Sequence, residues 1–281
     1  MQALAVRGLC KQYPAFTLSD VSFSVEEGQI MGLIGRNGAG KTTTLKCLLN
    51  LVHPDAGEAV FFGKRFASAE LEIKQQIGYV AGGIDFYGKK RLDGITSVTK
   101  RFYPTWDDAV YQECTRRFEL DGSKTPEQLS AGMRVKYALT LAMSHHARLL
   151  LLDEPTSGLD PVSRDELLDI FLGLSREGVS ILFSTHITSD LERCADGITY
   201  IRRGKVAASA PLNAFCSGYA CLNLTENQLT DAVKTRLIGM KPAKVGYTAL
   251  IAPEDAQAMG LRAEPAGLET IMIHLEKEDA Q

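Results

Sequence analysis

The sequence predicts an α/β fold built around a parallel sheet, and three observations carry that expectation. A buried-strand pattern, QIMGLI, runs at residues 29–34 into a glycine-rich loop and then a helix. Strand character returns in LLLLD at 149–153 and in VSILFS at 179–184. Between those two segments, Leu167, Leu168, Phe171, Leu172 and Leu174 mark a helix over roughly 163–176.

Taken in order, Val21, Phe23 and Val25 alternate as in a half-buried strand, which breaks at Glu26-Glu27-Gly28. The helix after the glycine loop carries Leu45, Leu48, Leu49 and Val52 on one face, and His53-Pro54-Asp55-Ala56-Gly57 closes it. Residues 87–147 are polar and mostly helical. One helix starts near 105–107 with Val110, Cys114 and Phe118 on one face, and a second runs from Gly132 through RVKYALTLAMS. After Cys216 a small α+β unit follows. There Thr225 to Gln228 has the form of a capping box opening a helix to Leu237. Leu268, Ile271, Met272 and Leu275 take the spacing of a final amphipathic helix. The expected division is therefore 1–215, with a helical subdomain inserted at about 87–147, and an accessory region 216–281.

Composition narrows the function classes. Of 281 residues, 45% are hydrophobic and 23% charged, enough for a full core and too apolar for disorder. Lys+Arg 31 against Asp+Glu 34 gives a formal charge of −3, which argues against bulk nucleic-acid binding. No run approaches the roughly 18–20 apolar residues of a membrane span, and the first residues do not read as a signal peptide. Cys10, Cys47, Cys114, Cys194, Cys216 and Cys221 lack CxxC spacing and read as reduced thiols of a soluble intracellular protein.

Gly35-Arg36-Asn37-Gly38-Ala39-Gly40-Lys41-Thr42 fits GxxxxGK[ST] between a strand and a helix. Its glycines let backbone N–H groups surround a polyphosphate, Lys41 reaches the terminal phosphates and the Thr42 hydroxyl can ligate Mg²⁺. The helix from Lys41 adds its positive dipole end. Asp153 ends an apolar strand where it can hold the Mg²⁺ hydration shell, and Glu154 follows as a general base for water. On its own, LLLLDE would read as an acidic turn; beside a phosphate loop the chemical reading is the better one. His186 sits at the carboxyl end of the next strand, where α/β sheets gather ligand contacts, and is read as a γ-phosphate contact.

Leu129-Ser130-Ala131-Gly132-Met133, about twenty residues before LLLLDE, and Ser157-Gly158-Leu159-Asp160 after it complete an ordered set. Residues 2–215 so resemble the nucleotide-binding subunit of an ABC transporter, a P-loop NTPase cassette. The resemblance implies ATP and Mg²⁺ as cofactors, with Tyr13 as an aromatic stacked on adenine. It places residues 35–43, Thr43 included, in the phosphate loop, with Asp153 as the Mg²⁺-associated acid, Glu154 as base and His186 as switch histidine. It also gives Ser130 and Gly132 to the γ-phosphate of ATP on an opposite subunit, and Asp160 to the loop between paired sites. Partners follow from it: a second ATPase subunit, identical or homologous, arranged head to tail, and transmembrane permease subunits at the cytoplasmic face of the membrane. No nucleic acid is expected. The stretch FYPTWDDAVYQECTRRFELD resembles a bacterial exporter-type subgroup with a short C-terminal extension.

Two departures stand out. LSAGM replaces the usual LSGGQ, adding a methyl at Ala131 and removing an amide at Met133, and ATP sandwiching is expected to persist. After IGYV the family's Pro-Gln is absent, and Ala81-Gly82-Gly83 stands instead. Asp85 or an added water is expected to substitute in part, or turnover to be slow without the partner. Phe86, Tyr87, Phe102, Tyr103 and Trp106 cluster near that loop, half of them expected as core and the rest as a groove for a permease helix. Lys89-Lys90-Arg91 and Arg116-Arg117 are expected to be solvated faces. The rival class, a soluble ATPase acting on nucleic acid or ribosomes, fits less well. Only 89 positions separate Lys41 from Ser130, too few for coiled-coil arms, and a single cassette is present.

Overall fold

The computed structural model describes residues 1–81 and 87–278, and they divide into two compact units, Met1–Ser209 and Ala210 onward. The first unit opens with a hairpin, β1 (Gln2–Tyr13) and β2 (Phe16–Glu26), followed by β3 (Ile30–Ile34) and α1 (Lys41–Leu48). Next come β4 (Ala56–Phe61), β5 (Lys64–Arg65), α2 (Phe66–Lys74) and β6 (Ile77–Val80). Three helices follow, α3 (Leu92–Thr99), α4 (Asp108–Arg117) and α5 (Ala131–Ser144). The unit closes with β7 (Leu149–Asp153), α6 (Pro161–Arg176), β8 (Ser180–Thr185), α7 (Thr188–Cys194), β9 (Gly197–Arg202) and β10 (Lys205–Pro211).

Two sheets organise these elements. One is four-stranded, in the order β2-β1-β4-β5; the other is six-stranded, β10-β9-β3-β8-β7-β6, with β9, β3, β8, β7 and β6 parallel. Every residue of β3, β7 and β8 is buried, as expected of parallel strands covered on both faces. A single apolar cluster joins Leu4, Leu18 and Phe61 of the first sheet to Leu45 and Leu48 of α1 and to Leu33, Leu151 and Leu182 of the second. The strand ends that carry the site are thereby fixed from beneath.

The helical segment is tied by Tyr137, whose hydroxyl donates to Leu92 O at 3.1 Å and lies 2.9 Å from Thr96 Oγ1. His145, 3% exposed, stacks on Tyr103 with ring centroids 3.8 Å apart. Of the aromatic group expected beside the 81–83 loop, Tyr87 and Phe102 are exposed, Tyr103 and Trp106 are half-buried, and Phe86 lies outside the described residues. Lys89, Lys90, Arg91, Arg116 and Arg117 are all exposed.

The second unit contains α8 (Leu212–Ser217), β11 (Ala220–Leu224), α9 (Asp231–Lys234), β12 (Ile238–Pro242), β13 (Tyr247–Ile251), α10 (Pro253–Ala258), β14 (Ala263–Pro265) and α11 (Leu268–Glu278). Its strands form one sheet, β12-β13-β11-β14. Leu268 and Ile271 of α11 are fully buried. Among the described residues no helix is long and apolar enough to cross a membrane, and all six cysteines are free.

Three local expectations need correction. The helix after the glycine loop stops at Leu48, short of Val52, because Asn50 turns the chain at φ +56°. The Thr225–Gln228 capping box does form, yet it caps a single 3₁₀ turn, and α9 starts afresh on a second cap, Thr230. The helix expected from Gly132 begins one residue earlier, with Ser130 as its cap.

Candidate functional site

The glycine loop leaves β3 and enters α1 through Gly40, which caps the helix at φ +117°. No side chain caps α1, so its first N–H groups stay open to an anion. Its φ strains any L side chain, and a Cβ on Gly40 would also press to 2.9 Å on the tips of Phe16 and Leu18. Lys41 folds back over the loop. It is 5% exposed, and its ammonium donates to Gly35 O at 2.7 Å and Arg36 O at 3.3 Å.

The far end of the same unit props this loop. Gly204, in the turn between β9 and β10, donates its N–H to Ala39 O at 3.0 Å and accepts from Ser19 N at 2.7 Å. A Cβ on Gly204 would meet Thr17 O at 1.9 Å, and one on Gly35 would meet Ile201 O at 2.2 Å.

The acidic pair arrives on β7. Asp153, 6% exposed, accepts on Oδ1 from Thr42 Oγ1 at 3.0 Å and from Ser184 Oγ at 2.7 Å. Ser184 is its register partner on β8, and the same hydroxyl accepts from Glu154 N at 2.9 Å. Glu154 leaves the strand at φ +50°, a turn that swings its carboxylate towards the loop. There Oε1 lies 3.2 Å from Lys41 Nζ and Oε2 lies 2.8 Å from His186 Nδ1. A cavity of about 650 Å³ opens over these groups, lined among others by Asn37, Gly38, Lys41, Thr42, Thr43, Glu154 and His186.

Not every expected residue meets there. Tyr13, at the end of β1, does not line the cavity, whereas Phe16, its partner across the hairpin turn, does. Arg36 is exposed on the loop and Ala39 is buried beneath it. Ser130 caps α5 through Met133 N at 3.2 Å, and Asp160 caps α6 through Val162 N at 3.0 Å and Ser163 N at 3.1 Å. The Ser163 hydroxyl and those N–H groups hold the Asp160 carboxyl below its usual range. A Cβ on Gly132 would lie 3.7 Å from Leu159 and from Ser163, so these two segments adjoin each other outside the cavity. Gly82, Gly83 and Asp85 lie outside the described residues.

The donor set suits Mg²⁺ shared with phosphate: one hydroxyl and one carboxylate, hard oxygens already 3.0 Å apart. Among the described residues no group of three or more His, Cys, Asp or Glu could hold a metal alone. Two contributors escape motif reading: Ser184 is a hydroxyl inside an apolar strand, and Phe16 belongs to an ordinary hairpin. Ser157, from the motif after LLLLDE, lines the cavity as well.

The chain is similar to known proteins in sequence and in fold. The family model described as ABC transporter matches residues 18–157. The ABC transporter ATP-binding protein YtrB of Bacillus subtilis (strain 168) is 30% identical over 268 residues, 91% of each chain. The chain belongs to the ABC transporter family. As an ATP-binding member it is an ATPase, and the similarity to YtrB is too long to be confined to the first unit. The lantibiotic transport ATP-binding protein SrtF of Streptococcus pyogenes is 31% identical over 205 residues, 72% of this chain and 88% of that protein. A solved structure described as the ATP binding subunit of an ABC transporter superposes with a TM-score of 0.68 at 31% identity. It covers 75% of this chain and 91% of the other.

Proposed function

We propose that this ABC protein is the ATP-hydrolysing subunit that drives a separate transmembrane permease, in the direction of export, from the cytoplasmic face of the membrane. The observation that carries the reading is the line His186–Glu154–Lys41, with contacts of 2.8 and 3.2 Å, standing over an uncapped helix start. In this reading Glu154 takes the proton of the attacking water, and His186 holds its carboxylate in place through Nδ1. Lys41 and the loop N–H groups bind the phosphates, whose oxygens compete with Glu154 for the ammonium. Thr42 and Asp153 would hold Mg²⁺, which when bound neutralises phosphate charge. Tyr13, paired with Phe16 across the hairpin turn, would stack on the adenine ring.

The Ser130–Gly132 segment serves the ATP of a second subunit placed head to tail, and Asp160 the loop between the paired sites, in keeping with their place outside the cavity of their own chain. SrtF is named for lantibiotic transport; the cargo here would be set by the permease. Residues 216–281 are read as an accessory region supporting the dimer.

Co-purification tests the reading. The full-length chain carrying Glu154→Gln should retain ATP, form a dimer and be recovered with multi-span membrane proteins. Recovery only with ribosomes or nucleic acid would overturn it in favour of the rival class.

A further inference from the structure

The contact joins half-buried Glu154 to exposed His186 across two separate turns, and something beneath must fix their separation. Two residues after Glu154 stands Thr156, fully buried, and four residues after His186 stands Asp190, 1% exposed. Thr156 Oγ1 donates to Asp190 Oδ2 at 2.6 Å. The chain thus closes a ring. One arc runs from Glu154 through the stiff Pro155 to Thr156, the other from His186 into α7 at Asp190. Two short contacts close it, 2.6 Å below and 2.8 Å above.

A third arm reaches the same carboxylate. Arg164, on α6, places its buried Nε 3.9 Å from Asp190 Oδ1 and donates from its guanidinium to Leu159 O at 3.4 Å. That nitrogen makes no hydrogen bond, so the Asp190 charge compensates it. Leu159 precedes Asp160, the residue that caps α6. Burial pushes the Asp190 carboxyl above the usual carboxylate range, partly opposed by the Thr156 bond and the Arg164 charge.

We infer that Asp190 is a positioning residue that sets the separation of Glu154 and His186 through Thr156, and links that separation to the 157–160 turn through Arg164. This rests on the reading of Glu154 as the base. A buried carboxylate held by Thr156 and Arg164 transmits a displacement of the 157–160 turn to the catalytic contact, because packed side chains have few alternative arrangements.

Asp190→Ala leaves the half-buried Arg164 without the carboxylate beside its buried Nε and can unfold the chain, so the Thr156 hydroxyl is the first target. In the full-length protein at saturating ATP, Thr156→Val should lower kcat roughly 10- to 100-fold, while KM for ATP and the thermal midpoint stay near wild type. Thr156→Ser, which restores the hydroxyl, should recover most of the rate. Where Asp190→Ala folds, adding Thr156→Val to it should cost little more, since both break one ring. Normal turnover in Thr156→Val, or a loss that follows KM and midpoint and is not recovered by Ser, overturns the inference. If Glu154→Gln hydrolyses ATP normally, the base assignment falls and the ring loses its meaning. If Glu154→Gln is inactive while Thr156→Val is normal, only the positioning role falls.

Discussion

Lys41 Nζ lies 3.2 Å from Glu154 Oε1, with side-chain exposures of 5% and 20%, so the cation of the phosphate loop and the proposed base neutralise each other. Removing the Glu154 charge while keeping its shape should therefore separate two roles. Glu154→Gln is expected to lower turnover about 10³-fold, while ATP affinity holds or rises because Lys41 loses a competitor. Steady-state hydrolysis and equilibrium nucleotide titration read the two quantities independently. Normal turnover in this variant would remove Glu154 from the base role.

Lys41→Ala should act on binding. The ammonium organises the loop through Gly35 O and Arg36 O as well as meeting phosphate. Its loss is expected to weaken ATP affinity roughly 10- to 100-fold, as for a charge-assisted hydrogen bond. An unchanged dissociation constant, read by fluorescent-nucleotide titration, would contradict the role given to Lys41.

Two glycines should respond in opposite ways. Gly35→Ala drives a methyl to 2.2 Å from the backbone oxygen of Ile201, which cannot step aside, and should destabilise by about 1–3 kcal/mol or more. Gly132→Ala meets only ordinary contacts at 3.7 Å and sits in the first turn of α5. It should leave the melting temperature unchanged or raise it, gaining at most about 1 kcal/mol of helix stability. Its proposed place against a second subunit's ATP means that hydrolysis should fall while nucleotide binding by the single chain persists. Melting curves and ATPase assays on both variants separate these effects.

The buried His145 should make stability depend on pH. Burial lowers its pKa from 6.5 to about 4, so between those values the unfolded chain binds the proton and the folded chain does not. Stability is therefore full above about pH 6.5 and declines as pH falls towards 4, by roughly 3 kcal/mol across the window. His145→Phe, which keeps the stack on Tyr103, should flatten that part of a denaturation-midpoint profile. A profile with the same slope in both proteins would show that another group sets it.

Much of the site could be read from residue order, because its chemistry is local. The loop at 35–42 declares itself by spacing, and Asp153, Glu154 and His186 by their place at strand ends. What escaped depended on pairing across long separations. Ser184 matters only because β8 lies beside β7 in a register that puts it opposite Asp153. Asp190 looks like any acidic residue in a helix until Thr156 is brought to it from 34 positions away. The first strand was hidden for a different reason. Its alternation is broken by register shifts between Val6 and Leu9 and again before Lys11, so no clean period of two survives in the sequence. The helix after the loop was overextended because Leu49 and Val52 keep the apolar spacing while Asn50 ends the helix.

Gly204 gives the phosphate loop a dependence on time as well as place. Its N–H secures Ala39 O and its carbonyl secures Ser19 N, so the loop that begins at Gly35 is braced by a turn some 165 residues later in the chain. During synthesis the motif emerges early, but its brace leaves the ribosome only after β9 has been made. A nascent chain ended before that turn would carry every residue of the loop and still lack the two hydrogen bonds that brace it.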